Sequence, residues 1–247
     1  VGVVSNNAET LISFLAVNSI GAIWSSCSPD FGEQAILDRF NQIEPKILFY
    51  SSNYVYGGKR FEILKKIKNI KNVLNTLEET ICIDYSENDK SFVDKKLNDY
   101  EENNREMAAL FFERCKFNDP MYILYSSGTT GKPKCILHNT GGPLIQHLKE
   151  QQLHGDICEN DKLFYFTTCG WMMWNWLISG LASKATIVLY EGSPFFPKQD
   201  SLFKIAEEEG ITCFGTSAKF IDALRNNQIQ ISNNFNLTKL KTILSTG

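Results

Sequence analysis

The chain has 247 residues, of which 43% are hydrophobic and 21% charged, a composition typical of a globular protein with a sizeable core. Its formal net charge of −3 excludes the global positive charge that favours binding to nucleic acids or acidic membranes. Because no apolar run reaches the roughly 20 residues needed to cross a bilayer, we expect no membrane span.

Strand-like and helix-like patterns alternate over residues 1–83. Apolar runs predict three strands, at Val1–Val4, Ala22–Ser25 and Ile47–Tyr50. The spacing between them predicts two helices, with Ala8, Leu11, Ile12 and Leu15 on the inner face of the first and Ile36, Phe40 and Ile43 on that of the second. This order predicts a parallel sheet covered by helices, with right-handed crossovers.

A basic segment follows at residues 56–71. We expect the Gly57-Gly58 turn to open a helix that carries six basic residues against one acid. The segment has two interpretations, which the residues leave open. It is either a solvated helix face, or an anion site in which a Gly-Gly turn at a helix N-terminus is reinforced by Lys59 and Arg60.

Residues 84–119 are polar and charge-dense, and we expect them to connect two sub-domains, 1–83 and 120–247. In the second sub-domain we predict another alternation of strands and helices. The predicted strands are Met121–Tyr125, Cys135–His138, Lys162–Thr167, Thr186–Tyr190, Cys213–Gly215 and Thr242–Ser245. The predicted helices are Gly141–Leu153, with Leu144, Ile145 and Leu148 inward, Leu202–Glu209 and Ser217–Asn226.

The segment Trp171–Ala182 predicts a helix that is apolar on nearly all sides and therefore buried. Its three tryptophans and two methionines would suit a protein core. They would equally suit the wall of a pocket for a small organic ligand, because aromatic and thioether surfaces adapt to such molecules. Both interpretations stay open.

The cysteines and histidines indicate neither disulfides nor a metal centre. The seven cysteines are odd in number and never form a Cys-X-X-Cys pair, so we expect reduced thiols in a cytosolic compartment. The three histidines have no cluster of cysteines or carboxylates nearby in the sequence, so we predict no structural zinc.

The most informative stretch is Ser126–Lys134, which follows the apolar run Met121–Tyr125. The run has the pattern of a strand that is buried on both faces. The segment after it contains four hydroxyl side chains, two glycines and two lysines. Glycines let backbone N–H groups point inward, while hydroxyls and lysines add donors and positive charge, so the segment predicts a phosphate-binding loop.

The glycine spacing excludes the phosphate loop of the common nucleotide triphosphatases. That loop has four residues between its glycines and a hydroxyl residue after its lysine. Here two residues separate Gly128 from Gly131, and Pro133 follows Lys132. A flexible surface hairpin would explain the glycines and the proline, but not the hydroxyls directly after an apolar strand.

The segment Tyr125–Lys134 closely resembles the phosphate-loop signature of the acyl-adenylate-forming enzymes, which include acyl-CoA synthetases, adenylation domains and firefly-type luciferases. One departure is Cys135, where many members have glycine, at a position that follows the phosphate contacts. Gly21–Gly32 and Gly170–Trp176 are similar to segments of the acyl-CoA synthetases that use acetoacetate. The resemblance implies an α/β fold, with two parallel-sheet βα sub-domains packed together as part of a large N-terminal domain and without the small C-terminal domain.

The reaction that the resemblance implies has two steps. The carboxylate of a short acid, acetoacetate, attacks the α-phosphate of ATP and gives an acyl-adenylate and pyrophosphate. The thiol of coenzyme A then displaces AMP. Because a carboxylate must approach a polyanion, Mg²⁺, the loop and its lysines screen the triphosphate.

The resemblance also implies roles for individual residues. Thr130 would meet Mg²⁺ or the γ-phosphate and Lys134 the departing pyrophosphate, so these two are the candidate catalytic residues. The candidate phosphate-binding residues are Ser126, Ser127, Gly128, Thr129, Thr130, Gly131, Lys132 and Lys134. Those for the acyl pocket are Gly170, Trp171, Met172, Met173, Thr246 and Gly247. Those for coenzyme A are Gly58, Lys59, Arg60, Ser25 and Ser26.

The chain begins within a strand-like run and ends where a strand meets a loop, so we expect a piece of a longer protein. Family members continue to a ribose-binding acidic motif, an adenine-binding loop and a C-terminal domain that supplies a lysine. We therefore expect this chain alone to bind nucleotide weakly and to be inactive as a ligase. The alternatives are a synthetase for acetate or another short acid, an inactive nucleotide- or CoA-binding relic, and the adenylation domain of an assembly line.

Overall fold

The computed structural model describes residues 1–83, 96–97, 110–126 and 131–246. The predicted connecting segment lies largely outside these ranges, and the division at residues 83 and 119 stays a prediction. The chain forms two compact units. The first unit comprises Val1–Tyr54, Arg60–Gly142 and Cys169–Trp171, and the second comprises Val55–Lys59, Pro143–Thr168 and Met172–Gly247. Over the described ranges, no helix is both long enough and apolar enough to cross a membrane.

The described strands and helices alternate for most of the chain. The strands are β1 (Gly2–Val3), β2 (Ser26–Cys27), β3 (Ile47–Tyr50), β4 (Asn53–Tyr56), β5 (Lys59–Glu62), β6 (Glu79–Cys82), β7 (Pro120–Ser126), β8 (Lys134–Asn139), β9 (Lys162–Tyr165), β10 (Thr186–Val188), β11 (Cys213–Ser217) and β12 (Thr242–Thr246). The helices are α1 (Ala8–Ser19), α2 (Glu33–Phe40), α3 (Leu64–Val73), α4 (Gly141–Leu148), α5 (Met172–Ile178), α6 (Ser201–Glu209), α7 (Ala218–Asn226) and the single turn α8 (Ile231–Asn234). A π-helical turn at Lys149–His154 extends α4, and a 3₁₀ turn at Ser179–Ser183 extends α5.

The first unit contains a parallel sheet in the order β2-β1-β3-β6. Its core joins Val3 and Leu48 of the sheet to Ile36 of α2 and Ile67 and Ile70 of α3. Each of these side chains is almost fully buried, and burial of such a side chain stabilises the fold by about 1.5–3 kcal/mol. The parallel arrangement confirms the predicted α/β fold.

The second unit contains a second parallel sheet, in the order β10-β9-β11-β12. Successive side chains of a strand point to opposite faces, so β9 contributes to two cores. Phe164 packs with Phe214 and the apolar faces of α6 and α7. Leu163 and Tyr165 pack with Trp176 and the rest of a separate cluster on the other face.

The phosphate-loop strand differs from its prediction. β7 pairs antiparallel with β8, and only Tyr122 and Leu124 are buried along its length. The strand is therefore half-buried, not buried on both faces. The backbone N–H of Trp24 donates to the carbonyl of Met121, and Trp24 forms a parallel bridge with Tyr122. These contacts engage backbone groups that were expected to belong to β2. As a result, β2 lies at 26–27 instead of 22–25.

The inner faces of two helices were also predicted wrongly. α1 buries Thr10, Ser13 and Phe14, whereas Ile12 and Leu15 are about half exposed. The polar residues can be buried because Thr10 Oγ1 donates to the carbonyl of Ser5 and Ser13 Oγ to that of Glu9.

In α4 and its extension the buried residues are His147 and Gln151, while Leu144 and Ile145 are exposed. Gln151 can lie inside because its Nε2 donates to the carbonyl of Trp176 and to Ser179 Oγ. In both helices the apolar spacing alone selected the wrong face, since hydrogen-bonded polar residues fill the inner one.

The basic segment does not begin with a helix. Gly57 and Gly58 have φ values of 57° and 75° and form the turn between β4 and β5. Positive φ at two successive positions is typical of a tight hairpin, which glycine adopts without steric cost. The next helix starts only at Leu64, so the helix N-terminus that the anion-site interpretation requires is absent at this turn.

Asp161, just before β9, is a buried carboxylate with several donors. Its oxygens accept the backbone N–H of Cys158 at 2.9 Å and Lys241 Nζ at 2.8 Å. Burial by itself raises the pKa of this carboxyl, but the hydrogen bonds from Lys241, Thr212 and Cys158 outweigh it and lower the pKa to about 2. The ionised form is therefore favoured in the folded protein.

We expect Asp161→Asn to lower the urea midpoint of unfolding at about pH 6, where the carboxylate and its donors are intact. The pKa is lowered on folding, so this contribution is present above the unfolded value of 3.8 and is lost as the pH falls towards 2. The gap between parent and variant should therefore narrow on acidification. The control is Asp222→Asn, which removes an exposed carboxylate 3.3 Å from Arg225. An equal gap at low pH would contradict the prediction.

Candidate functional site

The predicted phosphate loop is closed at its base by the β7–β8 hairpin. Ser126 pairs with Lys134 in the ladder, so the hairpin sets the first residue of the loop beside its last. Ser127, Gly128, Thr129 and Thr130 lie outside the described residues. The side chain of Lys134 is exposed to solvent, so its ammonium group is accessible to a phosphate.

Hydrogen bonds and a ring contact hold the strand that leads into the loop. Ser25 Oγ donates to the carbonyl of Ile123 and is hydrogen-bonded to the Tyr125 hydroxyl, both at 2.9 Å. The Arg39 guanidinium of α2 lies 5.6 Å from the centre of the Tyr125 ring. Burial raises the pKa of Tyr125, so its hydroxyl stays protonated.

Helix α2 also contacts the segment that leaves the loop. Gln42, just beyond the helix, donates from Nε2 to the carbonyl of Pro133 at 2.8 Å. Asp38 lies 3.9 Å from Lys132 Nζ, and the lysine is 76% exposed. Because the lysine lies in solvent, the pair contributes little to stability.

The structure brings Ser26 and Gly170 together inside the first unit. Ser26 Oγ donates to the carbonyl of Cys169 at 2.6 Å and accepts from the indole of Trp24 at 3.0 Å. A Cβ at Gly170 would lie 3.4 Å from the backbone N of Ser28, which is an ordinary van der Waals distance. Ser25 and Ser26 are both 2% exposed, and their hydroxyls are engaged within the protein.

The candidate coenzyme A residues Gly58, Lys59 and Arg60 lie at the β4–β5 hairpin. A Cβ at Gly58 would overlap the ring of Phe196, which covers the glycine within the second unit. Lys59 and Arg60 are exposed, and Arg60 Nε lies 2.6 Å from Glu62. The hairpin thus presents two cations to solvent.

The candidate acyl-pocket residues differ in their surroundings. Trp171 and Met172 are exposed by 58% and 46%, although the sequence predicted a helix buried on nearly all sides. Met173 is half-buried and packs on the cluster that contains Tyr165 and Trp176. Thr246 Oγ1 lies 3.1 Å from the Tyr165 hydroxyl, whereas Gly247 lies outside the described residues. Met173 and Thr246 are thus both associated with Tyr165.

Two residues that the sequence analysis did not select, Tyr165 and Gly215, organise this part of the second unit. They face each other across β9 and β11, and a Cβ at Gly215 would overlap the Tyr165 ring. Burial raises the pKa of Tyr165, so the phenol keeps its proton. A glycine within an apolar strand often marks a close approach, and this signal could have identified the pair.

Comparison with known proteins agrees with this geometry. A model of the family described as AMP-binding enzyme matches residues 1–247. The chain is 47% identical over 247 residues to acetoacetyl-coenzyme A synthetase of Rhizobium meliloti (strain 1021), with 98% of this chain and 38% of the relative covered. It is 44% identical over 256 residues to acetoacetyl-CoA synthetase of Danio rerio, with 100% and 38% covered.

Acetoacetyl-CoA synthetase from Streptomyces lividans has a similar solved structure, with a TM-score of 0.91 and 38% sequence identity. The match covers 100% of this chain and 38% of that one. The chain thus spans 38% of the length of each of these three relatives. Since the family model covers every residue and the segment Tyr125–Lys134 carries that family's phosphate-loop pattern, the chain belongs to the AMP-binding enzyme family.

Proposed function

We propose that the protein containing this chain is an acid–CoA ligase that converts acetoacetate, ATP and coenzyme A into acetoacetyl-CoA, AMP and pyrophosphate through an acyl-adenylate. The observation that carries the proposal is the hairpin that sets Ser126 beside Lys134 at the base of a glycine- and hydroxyl-rich loop. The match of nearly the whole chain to 38% of relatives that are named acetoacetyl-CoA synthetase supports the choice of acid.

In this proposal the loop binds MgATP, with the Mg²⁺ ion brought in on the phosphates as part of the substrate. The loop residues Ser126–Gly131 donate hydrogen bonds to the phosphate oxygens from their hydroxyl and backbone N–H groups. Lys132 leaves its weak pairing with Asp38 for a phosphate, and Lys134 stabilises the charge that develops on the departing pyrophosphate. No protein nucleophile is needed, because the carboxylate of the acid attacks the α-phosphate directly.

The acyl group is proposed to lie against Gly170, Trp171, Met172 and Met173, with Thr246 and Gly247 closing the pocket. The two exposed apolar residues at the start of α5 support this assignment, because a buried core helix would not leave them in solvent. This apolar, bulky wall suits a short acid other than acetate.

Coenzyme A is proposed to bind with its phosphates at Gly58, Lys59 and Arg60. The hairpin turn supplies backbone N–H groups, and its two exposed cations supply charge. Ser25 and Ser26 are buried and hydrogen-bonded internally, so we propose that they shape the backbone near the coenzyme instead of contacting it. All seven cysteines are thiols outside any disulfide bond, which is compatible with a cytosolic setting, and we also propose that setting.

The test is pyrophosphate release by the protein, expressed with whatever sequence its gene encodes around these 247 residues. We expect release that depends on acetoacetate and MgATP, with acetate a poor substitute. Equal rates with acetate would reject the choice of acid and leave the reaction class. Nucleotide or CoA binding without release from any acid would favour an inactive binding protein. Transfer to a carrier domain, identified by intact mass, would indicate an assembly-line adenylation domain.

A further inference from the structure

Tyr165 is buried at the carboxyl end of β9, and its hydroxyl hydrogen-bonds to β11 and to β12, the next strand beyond it in the sheet. Its hydroxyl donates to the carbonyl of Thr216 on β11 at 3.2 Å and lies 3.1 Å from Thr246 Oγ1 on β12. The side chain is 3% exposed, and Trp176 packs edge-on against its ring at 6.0 Å between centroids. The phenol is therefore held in one position, with its oxygen directed at Thr246.

The protons of this pair can be arranged in two ways. A carbonyl only accepts, so when Tyr165 donates to Thr216, the hydroxyl of Thr246 must donate to Tyr165. When Tyr165 donates to Thr246 instead, the threonine hydroxyl is free to donate to a third group. Burial raises the pKa of Tyr165 and keeps its proton on the oxygen, so it can act as a donor in either arrangement. Thr246 is exposed and able to meet that third group.

Thr246 has an apolar neighbour on its own strand, while its register partner on β11 is Ser217. Leu244 shares its face of β12, because the two residues are two positions apart in a strand, and it packs on the same cluster as Met173. Apolar walls of this kind discriminate poorly between acids of the same length, since they provide no partner for an additional carbonyl. A hydroxyl donor beside such walls provides that partner for the additional carbonyl.

We propose that Thr246, positioned by Tyr165, donates a hydrogen bond to the 3-oxo group of the acid and so selects 3-oxo acids over saturated acids of equal length. This inference rests on the proposed function and adds its specificity determinant. Tyr165 is a positioning residue, because it acts through Thr246 and does not contact the acid itself. Gly215 contributes to this arrangement, because only glycine at that position leaves room for the ring of Tyr165.

The experiment compares kcat/KM for acetoacetate with kcat/KM for butyrate, which has the same chain length and lacks the 3-oxo group. It uses the full protein and the variants Tyr165→Phe and Thr246→Val. Each variant keeps the shape of its side chain and removes one hydroxyl. We expect the ratio of the two constants to fall about tenfold in both, in line with the loss of one neutral hydrogen bond to substrate.

The matched control is Tyr190→Phe. Tyr190 also lies in the second unit, where it is half-buried and donates to the carbonyl of Ser193 at 2.8 Å, but it packs on the cluster of the opposite sheet face. A ratio that falls equally in this variant, or that stays at the parent value in Tyr165→Phe and Thr246→Val, would overturn the inference. If Tyr165→Phe fails to fold, Thr246→Val decides alone, because Thr246 is exposed. A parent protein inactive with both acids would instead reject the proposed function.

Discussion

Replacing Lys134 by alanine is expected to slow adenylate formation about 100-fold, which is the typical effect of removing one charge-stabilising donor from an active site. The ladder partner of Lys134 is Ser126, so its backbone stays in place when the side chain is truncated. The side chain is exposed, and its removal leaves no cavity. We therefore expect the loss in kcat for acid-dependent pyrophosphate release, with an unchanged urea midpoint.

The control for this variant is Lys46→Ala. Lys46 is also exposed, and its Nζ lies 2.9 Å from Glu78. It is distant from the loop in the sequence, so its truncation removes a lysine of similar solvent exposure without changing the loop. Turnover that is unchanged in Lys134→Ala would remove this residue from the mechanism. Partial restoration of kcat by Lys134→Arg would identify the charge as the property that matters.

Replacing Gly215 by alanine is expected to destabilise the protein by about 3 kcal/mol, at the upper end of the usual cost of overpacking a core. The new methyl group would overlap the ring of Tyr165, which is itself fixed by Trp176 and by two hydrogen bonds. Moving the strand would disturb the parallel ladder between β9 and β11, and moving the ring would break the two hydrogen bonds of its hydroxyl. The measurement is the free energy of unfolding in urea.

Gly32→Ala is the matched control for the glycine variant. Gly32 has a φ of −62°, and no atom lies within 4 Å of the position that its new methyl group would take, so the same chemical change has room there. We expect its effect to stay within about 1 kcal/mol. Equal losses from the two variants would show that glycine flexibility, and not the ring of Tyr165, sets the cost.

Much of the fold could be predicted because apolar runs mark parallel strands clearly. The run at Ile47–Tyr50 matches β3 residue for residue, and the last strand was placed to within one residue. α6 was equally clear, since Gly210 ends it with a left-handed φ of 66° that glycine adopts easily. These elements are set by local spacing and local caps, which one sequence displays.

The errors arose where individual hydrogen bonds, between nearby or distant residues, decide the outcome. The inner face of α1 depends on Thr10 reaching the carbonyl of Ser5, and the position of β2 depends on Trp24 pairing with β7. The Gly57-Gly58 turn was assigned to a helix because lysines suit a helix and a hairpin strand alike. Composition could not separate these cases.

The candidate site divides in the same way. The glycine and hydroxyl pattern of the loop was visible in the sequence, and the closing pair of Ser126 and Lys134 fits it. Tyr165 was not visible, because it reads as one more apolar residue of a strand. Its importance comes from contacts with β11 and β12, some 50 and 80 residues further along the chain.

The path of the chain through the two units limits how the protein can be divided. It passes from one unit to the other after Tyr54, after Lys59, after Gly142, after Thr168 and after Trp171. A second unit expressed from Pro143 onward would therefore lack Val55–Lys59, and Phe196 would lose the glycine surface that its ring covers. No single cut separates the units cleanly, so shuffling or truncating the protein at one boundary would break both at once.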